Sequence, residues 1–339
     1  MTAPIPHLPS ASYAPLGTGD LAAEITAQLS SRLCQVRLRG FRPPETPAPA
    51  RAAPTLVAVA HGSRDPRALP TVRALLDRVR ALRPGLAVRL GHIELNRPLL
   101  TDTLAELRGA AVLVPLLFGR GHHVTHDLPA ALAAAPQLTG RIAAPLGPHP
   151  LLAEALHGRL REAGFPEAPS PRTAVVLAAA GSRAPRSAQD TERTAQLLSA
   201  RLGGTPVLPA YASAHPSPAT APTRDAARRP SRIATVADAV RTLTARGHDR
   251  IAVAGCFTAP GRFAAQCAAA APGPAAEPLG DHPALARLVL HRYDQALGYD
   301  QAIPYDQALR YDQALPYGRA PLAGTGCDPE TAGAATVAV

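Results

Sequence analysis

The chain has no tryptophan, a single methionine, and only 4% aromatic residues in 339. Its cores must therefore be built from Ala, Val and Leu, and the 46% hydrophobic content is enough to fill them. Lysine is absent too, so all 35 basic residues are Arg. The four cysteines (Cys34, Cys256, Cys267, Cys327) form no CxxC pair, which excludes a disulfide framework and a thiolate metal site. Cys256 and Cys267 are expected to be small core residues. No apolar run approaches the roughly 20 residues that span a bilayer. The N-terminus lacks a basic segment followed by an apolar one, so no secretory signal is expected and the location reads as cytoplasmic. The formal charge of +10 points to an acidic partner. The arginines are scattered and no helix-turn-helix, zinc-finger or RNP-like pattern accompanies them, so nucleic acid is not expected. A polyanionic small molecule fits the charge as well.

What is present is a phrase written twice. TLVAVAHGSRDPRA (Thr55–Ala68) returns as AVVLAAAGSRAPRS (Ala174–Ser187). After the first phrase, Leu69, Val72, Leu75, Leu76, Val79 and Leu82 are spaced as one face of a helix. LAVRLGHIE then reads as a strand, LLTDTLAEL as a helix, and AAVLVPLLF as a buried strand. DLPAALAAA reads as a helix, RIAAPLG as a fourth strand, and PLLAEALHGRLREAG as a closing helix. The order restarts at residue 173, and APLGPHPLLAEAL is matched by EPLGDHPALARLV. Alternating strands and helices predict an α/β fold with mainly parallel sheets, duplicated in tandem. Two lobes should face each other across a cleft.

The predicted organisation has four parts. Residues 1–50 form a disordered Pro/Ala-rich segment with a short helix over Leu21–Leu33. Residues 51–168 form a first lobe and 169–297 a second, degenerate one. Residues 298–339 are a low-complexity tail of YDQA repeats without a catalytic role. A polar insertion occupies 221–234.

Parallel sheets bind ligands beyond the carboxyl ends of their strands. His61 follows the first strand, Glu94 ends the second, and His123 follows the third. Two imidazoles and a carboxylate at one crevice can hold a transition-metal ion with open positions, or move protons near neutral pH. Aligning the two halves places Ala180 opposite His61, Ala214 opposite Glu94 and Arg262 opposite His123. One copy keeps a site and the other keeps a fold. His122 and His126 read as neighbours of the site rather than ligands. His92 alternates with Glu94 and could share its face. His149 and His282 occur in matched contexts in both halves and are expected to be structural, at the start of the last helix of each. A lone strand-end histidine is often only a hydrogen-bonded cap; the loss of all three candidates together favours function.

VAHGSRDPRA, IELNRPLL and VPLLFGRGHHVTHDLPAAL followed by APLGPHPLL resemble the sirohydrochlorin chelatases of the CbiX and SirB type, among the class II chelatases. The resemblance covers residues 54–165 and continues more weakly to about 297. It implies a chelatase-like fold of two similar lobes, and ATP-independent insertion of Fe²⁺ or Co²⁺ into sirohydrochlorin, towards siroheme or cobalamin. It implies that His61 is proton acceptor and metal ligand, that His123 is the other ligand, and that Glu94 and the loop Phe118, Gly119, Arg120, Gly121, His122, His123 contact the tetrapyrrole. Glu94 would take a second proton or hold the hydrated ion. No tightly bound cofactor is expected, the metal being substrate, and the chain is expected to be a monomer with an internal pseudo-dimer. Arg64, Arg97 and Arg120 would pair with substrate carboxylates, although Arg64 has a counterpart in Arg183 and reads equally as structural. Iron is favoured over cobalt because nothing in the chain is dedicated to cobalt. The YDQA repeat, the 221–234 insertion and the lack of an iron–sulfur CxxC or His-rich tract depart from the family. The alternatives are a non-catalytic tetrapyrrole or metal carrier using the same cleft and, on AHGSR alone, a histidine phosphatase; for the latter no Arg precedes His61.

Overall fold

A computed structural model describes residues 53–182, 184–212 and 234–298, together with Thr26 and Gln28. Those two are helical and exposed, within the helix expected over 21–33. The rest of the expected N-terminal segment, the 221–234 insertion apart from Ala234, Arg183, Ala214 and the tail beyond Gly298 lie outside the described residues. Residues 1–52 are a unit apart from 53–339.

From Thr55 the chain runs β1 (Thr55–Ala60), α1 (Ala68–Leu82), β2 (Val88–His92), α2 (Leu100–Glu106) and β3 (Gly109–Pro115). A π-helical turn (His123–Asp127) leads into α3 (Leu128–Ala133), β4 (Leu138–Ile142) and α4 (Pro150–Glu162). The second half repeats the theme with β5 (Thr173–Ala179), α5 (Pro185–Arg201), β6 (Val207–Tyr211), α6 (Val236–Ala245), β7 (Arg250–Gly255), α7 (Arg262–Ala269) and α8 (Pro283–Leu297). The strands form two parallel sheets, ordered β2-β1-β3-β4 and β6-β5-β7.

The strands are apolar on both faces because both are covered. Leu56, Ala58, Val112 and Val114 turn inward to a core shared with Val175 and Leu177 of the second sheet. Residues of α1, α4, α5 and α8 fill the space between the sheets. Val57, Val59 and Leu113 turn outward under α2 and α3, and Ala174, Val176 and Val253 lie under α6 and α7. The two sheets thus share one helical layer and one core. Among the described residues no helix is long and apolar enough to cross a membrane.

Three elements differ from the pattern read in the sequence: β2 ends at His92, so Glu94 lies two residues beyond the strand rather than at its end. β4 starts earlier, at Leu138, and AAPLG is the loop that leaves it. Among the described residues the second sheet has no full counterpart of β4. Its fourth position is a single bridge, Val253 to Ala275, closed by two bonds (Val253 N–H to Pro274 O and Ala276 N–H to Val253 O, both 2.8 Å). Pro272 and Pro274 have no N–H to extend the ladder.

His149 and His282 are structural, as expected. Each stands before its helix and accepts the N–H two residues on through Nδ1, from Leu151 at 3.1 Å and Ala284 at 3.2 Å. Burial pushes the His149 imidazole down to about 3, with Arg292 and His291 adding to it, and burial also lowers His282. A cap that accepts through a ring nitrogen needs a neutral ring, so burial and role agree. Cys256 and Cys267 are buried core thiols, pushed up to about 12 and about 11 by desolvation.

The first YDQA unit belongs to the fold. Tyr293 is 2% exposed and its hydroxyl donates to the Pro54 carbonyl at 2.6 Å. Asp294 takes both terminal nitrogens of Arg83 at 2.5 and 2.7 Å. The helix stops at Gly298 in the left-handed conformation.

Candidate functional site

β1 ends at Ala60, and His61-Gly62-Ser63 turns away from the sheet. Gly62 has φ +108°, and a Cβ there would lie 1.9 Å from the Glu94 carbonyl. Only glycine lets the turn pass so close to the β2 loop. The two loops are stitched by Ile93 N–H to Ala60 O (2.9 Å), Glu94 N–H to His61 O (3.0 Å) and Ser63 N–H to Asn96 Oδ1 (2.6 Å). The stitching brings the Glu94 carboxylate within 3.6 Å of His61 Nδ1. Leu95 is held at φ 67°, half-exposed at the cleft.

After β3 the chain runs through Leu116–Gly121 into the π-helical turn. Its wider register sets Leu128 N–H on His123 O, and such turns concentrate at functional positions. The His123 ring meets the His61 ring edge to face, 4.8 Å between centroids at 84°. His123 Nδ1 lies 2.6 Å from Asp127 Oδ2. A carboxylate only accepts, so Nδ1 carries the proton and Nε2 keeps its lone pair. His61 follows the same logic, with Nδ1 3.3 Å from the Gly62 carbonyl and Glu94 beside it. Two imidazoles with free Nε2 nitrogens thus share one crevice, each able to ligate an ion or accept a proton.

The crevice is a cavity of about 940 Å³. His61, Glu94, Phe118, Gly119, Gly121, His122 and His123 line it, with Ala179–Ser182 and Cys256–Ala264 of the second half opposite. Ala180 and Arg262, the duplication's counterparts of His61 and His123, both face this space. Among the described residues no three His, Cys, Asp or Glu side chains converge into a closed metal-holding group. His92 is in the floor, 2% exposed, with Nδ1 3.1 Å from the Pro98 carbonyl and its basicity lowered by burial.

Arg120 departs from expectation. It does not line the cavity. Its backbone N–H, Nε and Nη2 donate to Asp190 at 2.9, 3.0 and 2.6 Å, and Asp190, on α5, is 2% exposed. The Nε–Nη2 edge of the guanidinium is engaged by a buried carboxylate of the other half, which raises its own basicity. Arg97 likewise turns to Asp102 at 2.9 Å, outside the cavity. Arg64 does line it, as does Arg262, which stacks over Phe263 at 4.8 Å. Among the described residues neither has a carboxylate partner.

Asp127, Asn96 and Asp190 support this site and were not singled out in the sequence. Asp127 alone had a signal there, four residues beyond His123 at helical spacing. Asn96 and Asp190 reach their partners across chain separations of 33 and 70 residues.

Residues 55–163 match the family CbiX. The sirohydrochlorin cobaltochelatase of Methanococcoides burtonii is 28% identical over 123 residues, 32% of this chain and 94% of that one. That of Methanosarcina acetivorans is 28% identical over 123 residues, with 95% of it covered. These relatives are about one lobe long. Among solved structures, the sirohydrochlorin chelatase SirB from Bacillus subtilis in complex with cobalt superimposes with a TM-score of 0.53 at 19% identity, covering 72% of this chain and 95% of that one. CbiX, described as the terminal enzyme of siroheme biosynthesis in denitrifying bacteria, gives 0.51 at 22% identity, covering 71% and 99%. These structures match in fold and span both lobes.

Proposed function

With residues 55–163 belonging to the CbiX family of sirohydrochlorin chelatases, we propose that this chain inserts a divalent ion, Fe²⁺ or Co²⁺, into sirohydrochlorin within the cleft described above. The observation that carries the reading is the His61–His123 pair, 4.8 Å apart, with both Nδ1 positions engaged and both Nε2 positions free.

Insertion replaces two pyrrolic protons with one ion and strips water from it. His123, oriented by Asp127, holds the ion through Nε2. His61 accepts the first proton through Nε2, and the Glu94 carboxylate beside it stabilises the imidazolium that forms. Glu94 takes the second proton, or holds the ion while its water leaves. Phe118, Gly119, Gly121 and His122 contact the macrocycle, and Arg64 supplies positive charge to its carboxylates. The metal is Fe²⁺ or Co²⁺, since both are borderline ions that imidazole accepts.

The test is an anaerobic assay of purified protein with sirohydrochlorin and Fe²⁺, Co²⁺ or Ni²⁺, followed by the absorbance change of the macrocycle. Turnover with Fe²⁺ or Co²⁺ is expected. Stoichiometric binding without turnover for every ion would replace the enzyme by a carrier.

A further inference from the structure

The π-helical turn carries two more imidazoles. His122 and His126 are exposed, four residues apart, with rings stacked 4.5 Å between centroids at 14°. The Thr125 hydroxyl lies 3.1 Å from the Gly121 carbonyl and 3.4 Å from that of His122, where it can only donate. Donating there, it can accept from His126 Nδ1–H at 2.8 Å, the tautomer that leaves the lone pair on His126 Nε2. His122 Nε2 stands 3.7 Å from Asp127 Oδ1, the same carboxylate whose other oxygen holds His123. The His122 ring is 6.5 Å from that of His123. His122 lines the cavity and His126 does not. Four imidazoles thus run from the surface into the cleft, His126 to His122 to His123 to His61, in steps of 4.5, 6.5 and 4.8 Å.

We propose that His126 and His122 form an entry site for the substrate ion, which passes beside Asp127 to His123. Its purpose rests on the chelatase reading above; its binding of a metal ion does not. Imidazoles four apart on one helical face are a donor pair for first-row divalent ions. Two protein ligands, with water completing the shell, bind weakly and release readily, as a transfer site requires. The net charge of +10 repels cations from the surface at large, so an imidazole pair beside a carboxylate is where an ion can gather. His122 is both exposed and part of the cavity lining, so it joins the surface to the cleft that holds His123.

The experiment uses the full chain and His126→Ala. Titration with Co²⁺ alone, read by calorimetry and by the visible absorption of the ion, should lose one weak site while the tighter one is kept. In the insertion assay, KM for the metal should rise about tenfold or more, the range seen when groups supporting a metal are removed. The rate at saturating metal should stay unchanged. Identical Co²⁺ titrations of variant and wild type would overturn the site, and this can be read even if no ion is inserted. A fall in kcat at saturating metal, restored by added imidazole buffer, would also overturn it, since the residues would then be moving protons.

Discussion

Asp190 is the residue on which the placement of the loop Phe118–His123 should depend. It lies in the second lobe, yet it takes three bonds from Arg120 in the loop Phe118–His123. The loop is fitted to it closely. A Cβ on Gly119 would come within 3.5 Å of the Asp190 Cβ, and one on Gly147 within 2.5 Å of the Phe118 carbonyl. Removing one partner of a fully buried ion pair costs about 3–5 kcal/mol. The Arg120 side chain is 44% exposed and can recover water, which reduces Asp190→Ala to about 2–3 kcal/mol. Asp190→Asn keeps an acceptor but loses the charge, and should cost about 1–2 kcal/mol. Misplacement of His123 by about 1 Å should lower kcat/KM for insertion by about a hundredfold in the alanine variant. Urea unfolding and initial rates measure both effects. Arg120→Ala should reproduce them, and the double variant should be little worse than either single one. An Asp190→Ala protein with wild-type kcat/KM would refute the claim that the second lobe places the loop.

His61→Ala should abolish insertion with the melting temperature nearly unchanged, because the second copy carries Ala180 in the same turn; near-normal turnover would remove His61 from its role. Stability should fall with acid through the helix caps. His149 is lowered from the ordinary 6.5 to about 3 in the fold, so the unfolded chain binds the extra proton between those values, and the contribution is complete above pH 6.5 and lost as pH falls below it. At about 1.4 kcal/mol per pH unit, moving from 6.5 to 5 costs up to about 2 kcal/mol, less for the solvent that reaches the ring. Urea midpoints at pH 7 and 5 check this, and His149→Asn, which caps without titrating, should flatten the slope. Cutting the chain after Gly298 should leave activity and unfolding midpoint unchanged. Tyr293→Phe should cost about 1 kcal/mol by leaving the Pro54 carbonyl without its donor; a midpoint equal to wild type would show that bond to be idle.

The alternation of apolar strands and amphipathic helices was enough to place His61, Glu94 and His123 at the ends of neighbouring strands, and the structure gathers them in one cavity. Periodicity reports which face of an element is buried, and strand ends follow from it. It does not report which distant residue a polar side chain will meet. Arg120 sits in the loop Phe118–His123 and reads as a cation for the substrate, until α5 packs and sets Asp190 beneath it. The helical layer shared by the two sheets was equally hidden, since α1 and α8 each show one apolar face without naming the partner. Asp294 and Tyr293 looked like the opening of a low-complexity repeat. Their partners Arg83 and Pro54 lie more than 200 residues away.

The duplicated phrase separates assembly from chemistry. Gly62 and Gly181 both stand at positive φ, +108° and +93°, so both turns need glycine. Ser63 then reaches across to the second lobe, its Oγ donating to the Pro260 carbonyl at 3.1 Å and standing 3.0 Å from where a Cβ on Gly261 would lie. Ser182 stands in the mirrored place, 3.3 Å from where a Cβ on Gly121 would lie. The first Gly-Ser thus bonds the loop that follows the third strand of the second half, while Ser182 packs close to Gly121 in the loop of the first and holds the Ala184 N–H of its own turn. Losing Ser63 would remove its bond to the Pro260 carbonyl in the opposite loop. The histidine is under no such demand. Its ring lines the cavity and bonds only within its own half, to Gly62 and beside Glu94, and under the proposed function one ion per cleft needs one such ring from this turn. The phrase can therefore lose His at position 180 and keep the Gly181-Ser182 that follows.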